Sequence, residues 1–338
     1  MRFAAVVLAM LALAGSGSAA GGLSIRVQGN GLVDGKGHTV RLLGVSRSSF
    51  EYACAQGWAM WEGPTDNASI APIKAWKINT VRIPLNEACW LGLSNVKPEY
   101  RGAIYRKAVV AYVQRLHAAG LYVILDLHWN GPGDTRALDQ QYDADADHSP
   151  AFWRSVATTF RNDRAILFDL YNEPHDLSWK CWRDGCKTPD GWNAAGMQQL
   201  VSVVRGTGAK QPLLLGGLNW SNDLTGWLRW KPRDSARQLV ASVHVYPMNA
   251  CDEPACWTSE IAPVAKRVPV VSGEIGQKNC QHDFIDEYMS WADAHGVSYL
   301  AWAWMDWGCE LPGLLESFDG TPTATYGEGF RAHLAALK

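Results

Sequence analysis

The sequence predicts an α/β fold in which eight parallel strands alternate with helices and close into a (β/α)8 (TIM) barrel. Three observations carry this expectation. Eight apolar runs of strand length, at 42–45, 80–84, 121–127, 166–171, 213–217, 240–246, 268–271 and 298–304, are separated by stretches with helical spacing. The polar residues of a candidate site all fall at the C-terminal tips of those runs, as barrel chemistry requires. No glycine-rich phosphate turn follows an early strand, which argues against a doubly wound open sheet.

The chain opens with Arg2, an apolar run over 3–14 and the small residues 15–20. This pattern predicts a signal peptide over 1–20, because the run is too short to span a bilayer. No later run approaches spanning length, so a secreted protein is expected, extracellular or periplasmic, with no membrane partner. Residues 21–338 then form a single domain, since no Pro/Ser/Thr-rich linker or attached binding module interrupts them. Residues 23–41 predict an N-terminal hairpin: Ile25-Arg26-Val27 alternates, Asp34-Gly35 turns, and Thr39-Val40-Arg41 returns. Between the strands, 104–117 places Ile104, Ala108, Tyr112 and Leu116 on one helical face and stops at Gly120. Ser149-Pro150 opens another helix, and 197–204 and 284–294 predict two more.

Charge excludes other classes. With 31 Lys/Arg against 33 Asp/Glu the net charge is −2, so no nucleic-acid partner is expected, and a monomer is. Eight cysteines in an exported chain predict disulfides. Cys181/Cys186 and Cys251/Cys256 suit short loop closures. Cys54–Cys89 and Cys280–Cys309 would join neighbouring loops. The spacings hold no CxxC pair of the kind zinc sites use. The segment 143–147, Asp-Ala-Asp-Ala-Asp, lacks the glycine and glutamate of a calcium loop and is expected to be a solvated acidic loop.

Two strand tips carry the chemistry. The run 165–171 ends in Asn172-Glu173-Pro174, where the proline lacks a ladder donor and stops the strand. The run 268–271 ends in Ser272-Gly273-Glu274. Two carboxylates at the rim of one barrel are what glycoside hydrolysis uses. Arg82, His128, His244, Tyr246 and Trp304 end four further strands on the same face. Ten of the 17 tryptophans follow strand ends, among them Trp129 and Trp220, and flat aromatic faces suit sugar rings.

In these motifs, from Gly44 to Gly308, the sequence resembles glycoside hydrolase family 5, the cellulase family. The resemblance implies retaining hydrolysis of a β-linked glucan or mannan without cofactor or metal, with Glu173 as acid/base and Glu274 as nucleophile. It also implies that Arg82 and Tyr246 hold Glu274, that Asn172 binds the sugar 2-hydroxyl, that His128 and His244 orient the reacting groups, and that Trp304 floors the site. Trp129 and Trp220 are expected to meet further sugars. The expected activity is that of an endo-β-1,4-glucanase, with β-mannanase, xyloglucanase and lichenase as alternatives on the same scaffold. A barrel that only binds polysaccharide would lack the intact carboxylate pair.

Overall fold

The computed structural model describes residues 22–337, so the expected signal peptide lies outside the described residues. Eight parallel strands close into a barrel: β1 (Leu43–Ser46), β2 (Thr80–Asn86), β3 (Tyr122–Trp129), β4 (Ile166–Asp169), β5 (Leu213–Gly216), β6 (Leu239–Val245), β7 (Val270–Ile275) and β8 (Ser298–Ala301). Each pairs with its neighbours in order, and β8 pairs with β1 to close the ring. The predicted helices form at Ala103–Ala118, Ser149–Phe160, Met197–Gly206 and Asp283–His295.

Side chains alternate between the barrel interior and the helix layer. On β3, Val123, Leu125 and Leu127 pack outward with the helices, while Tyr122 and Ile124 point inward. The inward set at the base is apolar on seven of the eight strands: Leu42, Ile124, Leu167, Leu214, Val240, Val271 and Leu300. Ile25 and Leu32 close it from below. They belong to an antiparallel sheet of Arg26–Gln28, Gly31–Val33 and Thr39–Val40, the N-terminal hairpin with one further strand. Gln238 clamps this sheet to the barrel by accepting from the Val27 amide at 2.7 Å.

One turn higher, the same inward positions become polar: Arg82, Asp126, Asp169, Ser242 and His244, all buried. An apolar base thus seals the barrel and leaves the polar layer at the mouth.

Strand ends differ from expectation at three places that matter. β4 stops at Asp169 rather than residue 171, so Asn172 and Glu173 stand free of the ladder. β8 stops at Ala301 rather than 304. β7 extends to Ile275, with Glu274 inside it. Its pairing with β6 runs Val243↔Ser272 and then His244↔Glu274, so Gly273 is an unpaired bulge residue. Without the bulge Glu274 would share the outward parity of Ser272, whose hydroxyl contacts Tyr288 on the helix side. The extra residue turns Glu274 into the barrel. Only glycine fits there: a Cβ would stand 2.9 Å from His244 Nε2 and 3.0 Å from Ser242 Oγ.

The four disulfides pair as expected, two from close spacing and two from loop adjacency, and all lie beyond strand tips on the mouth side. Cys54–Cys89 ties the loops after β1 and β2, and Cys280–Cys309 ties those after β7 and β8. No helix among the described residues is long and apolar enough to cross a membrane.

Candidate active site

The mouth holds a cleft of about 980 Å³ lined by His128, Gln140, Asn172, Glu173, Trp220, Tyr246, Glu274 and Trp302, among others. At its floor lies Arg82, fully buried, with every nitrogen of its fork engaged. Nε donates to Asp169 Oδ2 at 3.1 Å, and Nη1 to Glu274 Oε1 at 2.8 Å. Nη2 donates to Asn172 Oδ1 at 2.8 Å and stands 3.0 Å from Asp126 Oδ2. Burial opposes the guanidinium charge, but Asp126, Asp169 and Glu274 outweigh it and hold the Arg82 pKa above its ordinary value.

Glu274 is 6 % exposed in its side chain and accepts on both oxygens, from Arg82 and from the Tyr246 hydroxyl at 2.8 Å. Burial, and then the same carboxylate beside it, pushes the Tyr246 phenol far above its usual range, so Tyr246 stays a donor.

Glu173 stands opposite, its side chain 18 % exposed. Its Oε1 lies 2.8 Å from His244 Nδ1, and its Oε2 accepts from Gln140 Nε2 at 3.0 Å. Burial raises the Glu173 pKa, while the Gln140 hydrogen bond and the cationic side of the site pull the other way. One carboxylate oxygen of Glu173, one of Glu274 and a His244 ring nitrogen all lie within 4.8 Å of one another.

Both histidines are neutral imidazoles here. Burial lowers the His244 pKa to about 3 and that of His128 to about 4. His244 therefore offers one N–H, and His128 Nδ1 meets Asp126 Oδ2 at 2.7 Å, which sets its tautomer and leaves Nε2 for the cleft.

One expected contact needs correction. Trp304 is not the floor of the cleft. It is 1 % exposed and packs edge-on against Trp76, centroids 4.8 Å apart. Because β8 ends at Ala301, the first residue past the tip is Trp302, which lines the cleft and stacks on His128 at 5.5 Å. Trp129 stands apart from these residues, its half-buried ring 6.0 Å from Tyr52 in a group that includes Trp58 and Trp307. Trp220 does line the cleft, 42 % exposed and stacked on His175 at 4.6 Å.

Sequence reasoning missed Asp126, Asp169, Trp302 and Gln140. A lone carboxylate inside an apolar strand, as in both aspartates, demands a cation nearby and could have pointed to Arg82. Nothing in the loop sequence marks Gln140.

The segment 143–147 is also not a solvated loop. Asp143 and Asp145 are fully buried. Asp145 Oδ1 accepts from the amides of Asp147 at 3.0 Å and His148 at 2.7 Å, just ahead of the helix Ser149–Phe160. Its Oδ2 accepts from Asn130 at 2.9 Å. Glu87, Asp145 and His148 converge closely enough to hold a cation, but Ser149 and backbone amides already occupy their oxygens.

Residues 33–308 match the family described as Cellulase (glycosyl hydrolase family 5). The chain belongs to glycosyl hydrolase family 5. Membership in the cellulase family makes it a glycoside hydrolase, and its barrel is the family's (β/α)8 fold. Among its relatives is a mannan endo-1,4-β-mannosidase of Streptomyces lividans, 26 % identical over 97 % of this chain and 79 % of the relative. A manganese-dependent endoglucanase of Phanerodontia chrysosporium is 25 % identical over 65 % of this chain and 57 % of its own length. Among solved structures, a β-glucanase of Saccharophagus degradans in complex with cellotetraose superposes with a TM-score of 0.71 at 20 % identity, covering 93 % of each chain.

Proposed function

We propose that this family 5 hydrolase is a secreted, retaining endo-β-1,4-glucanase that acts as a monomer on cellulose-type glucans. The observation that carries the mechanism is the approach of Glu173 and Glu274 within 4.8 Å, oxygen to oxygen. Retaining pairs stand about 5–5.5 Å apart, whereas inverting pairs leave roughly 6.5–9.5 Å for a water.

In the first step Glu274 attacks the anomeric carbon and the bond to the leaving glucan oxygen breaks. Glu173 gives that oxygen its proton, and a glycosyl ester forms on Glu274. In the second step water attacks the same carbon and passes its proton to Glu173, and Glu274 leaves as a carboxylate. Burial of Glu173 favours the protonated acid that step one needs. Arg82 and Tyr246 hold Glu274 as an acceptor aimed across the cleft. Asn172, its Oδ1 committed to Arg82, has its amide N–H to offer the sugar 2-hydroxyl. Trp302 takes the platform role first expected of Trp304, and Trp220 meets a sugar further along.

Both Glu173→Gln and Glu274→Gln should abolish hydrolysis, by roughly 10²–10⁴-fold or more, with unfolding midpoints unchanged. Azide should restore turnover to Glu274→Gly and give an α-glycosyl azide. An azide product of β configuration would overturn the nucleophile assignment. Mannan is the second reading, favoured by the mannosidase relative that spans 97 % of this chain. Product analysis on β-glucan, mannan, xylan and xyloglucan decides between them. No metal takes part in this scheme, and activity after chelation should be unchanged. Size-exclusion chromatography tests the monomer, and N-terminal sequencing of exported protein tests secretion.

A further inference from the structure

Gln140 sits in the loop after β3, and its amide bridges two groups of the site: Asn172 Nδ2 donates to Gln140 Oε1 at 2.6 Å, and Gln140 Nε2 donates to Glu173 Oε2 at 3.0 Å. The orientation of both amides follows from Arg82. A guanidinium can only donate, so the Asn172 oxygen must face it. Asn172 Nδ2 therefore points at Gln140, the Gln140 oxygen accepts, and its nitrogen is left to donate to Glu173.

Two consequences follow for the free enzyme. One of the two Asn172 amide hydrogens is taken by Gln140. Both Glu173 oxygens have partners too, Oε1 with His244 and Oε2 with Gln140. An N–H aimed at Oε2 favours the carboxylate and disfavours a proton there. A sugar at the cleavage point and the Gln140 side chain thus compete for the same two partners.

The backbone around Gln140 is pinned. Tyr171, fully buried, exchanges hydrogen bonds with Gln141 through its hydroxyl, at 2.7 Å to the carbonyl and 2.8 Å from the amide, and the His175 amide donates to the Tyr142 carbonyl at 3.0 Å. Gln140 itself is half-buried on the cleft wall. Only its side chain needs to move.

We propose that Gln140 is a substrate-displaced positioning residue whose N–H favours the carboxylate form of Glu173 in the empty cleft and is withdrawn from it when sugar binds. The proposal rests on the assignment of Glu173 as the acid/base. The other charged or titratable groups facing Glu173 are Arg82 from β2, Asp126 and His128 from β3, His175 beyond β4, His244 from β6 and Tyr246 just past it, and Glu274 from β7. Changing residue 140 leaves all of them in place.

The test compares pH profiles of Gln140→Leu and the parent enzyme on cellopentaose, or on mannopentaose if mannan proves the substrate. The profile of kcat/KM reports the free enzyme and that of kcat the complex. Losing one hydrogen bond to a charged group should move the basic limb of kcat/KM up by about one pH unit. The basic limb of kcat should stay where it is, since Gln140 has already left in the complex, and KM should fall. Gln140→Glu keeps an acceptor for Asn172 but sets a carboxylate beside Glu173, and should move the kcat/KM limb further up. An unmoved kcat/KM limb in both variants overturns the proposal, as do kcat and kcat/KM limbs that move together. Glu173→Gln, run in parallel, separates the two failures: if it is inactive while the Gln140 variants leave the limb unmoved, only the gating role falls. If it is fully active, the acid/base assignment falls with it.

Discussion

Two nests of buried carboxylates lie near the mouth of this barrel, and only one of them is built around a fixed cation. In the first, Asp126, Asp169 and Glu274 surround Arg82, with contacts of 2.8–3.1 Å. In the second, Glu87 and Asp145 meet at Ser149, whose hydroxyl lies 2.5 Å from one and 3.3 Å from the other, with Asp143 close by in the same loop. Among the described residues the second nest has no arginine or lysine; its ion-pair partner is the His148 ring, 3.9 Å from both acids. Burial raises the pKa of Glu87 well above the usual carboxylate range and that of Asp143 to about 8. In the first nest burial raises Asp126 to about 7 and Asp169 to about 8, and the Arg82 guanidinium pulls both back toward the carboxylate. In the second no fixed cation opposes the burial of Glu87 and Asp143. A reacting carboxylate belongs in the first kind of setting and a loop anchor in the second.

Removing the cation should convert the first nest into the second, at large cost. Arg82→Met leaves three buried acids unpaired and should destabilise the fold by about 3–5 kcal/mol, with activity lost. Urea unfolding at pH 7 and pH 5 checks this, and the deficit should shrink at the lower pH as the acids take up protons.

A second variant disturbs the first nest without touching a charge. Gly273→Ala places a Cβ 2.9 Å from His244 Nε2, against a bulge that must keep its shape for Glu274 to face inward. Overpacking of this kind costs about 1–3 kcal/mol, and kcat should fall far more than KM changes. Circular dichroism melts and steady-state kinetics separate the two effects.

The smallest effect should come from the second nest. A carboxyl with a raised folded-state pKa contributes stability in full below the ordinary carboxylate range, and that contribution is lost as pH rises through about 8. Asp143→Asn stays neutral throughout. Its melting temperature should match the parent near pH 4 and exceed it near pH 9, by a few degrees at most. A parallel decline in both proteins would show that Asp143 is not a proton holder.

These nests also mark what could be read from the chain alone. The eight strands were legible because a buried strand must be apolar and a helix must repeat every three to four residues. Glu173 was legible because an apolar run breaks off at Asn172-Glu173-Pro174, and Glu274 because a second run gives way to Ser272-Gly273-Glu274. The register within a run was not. Trp302 and Trp304 share a parity, so alternation could not say which stands at the tip, and only the end of β8 at Ala301 decides. The second nest was hidden for another reason. Its aspartates look like a hydrophilic loop until Asn130, Glu87 and Ser149, remote in sequence, close around them. Gln140 acts through partners 32 and 33 residues away, and no local pattern records that.

The placement of the disulfides gives the enzyme two separate tolerances. Sulfur cross-links fasten the collar of loops that shapes the cleft, while the staves and their greasy plug depend on none of them. Thiol reductants should therefore slacken the collar and blunt turnover at temperatures where the cylinder beneath it is still standing.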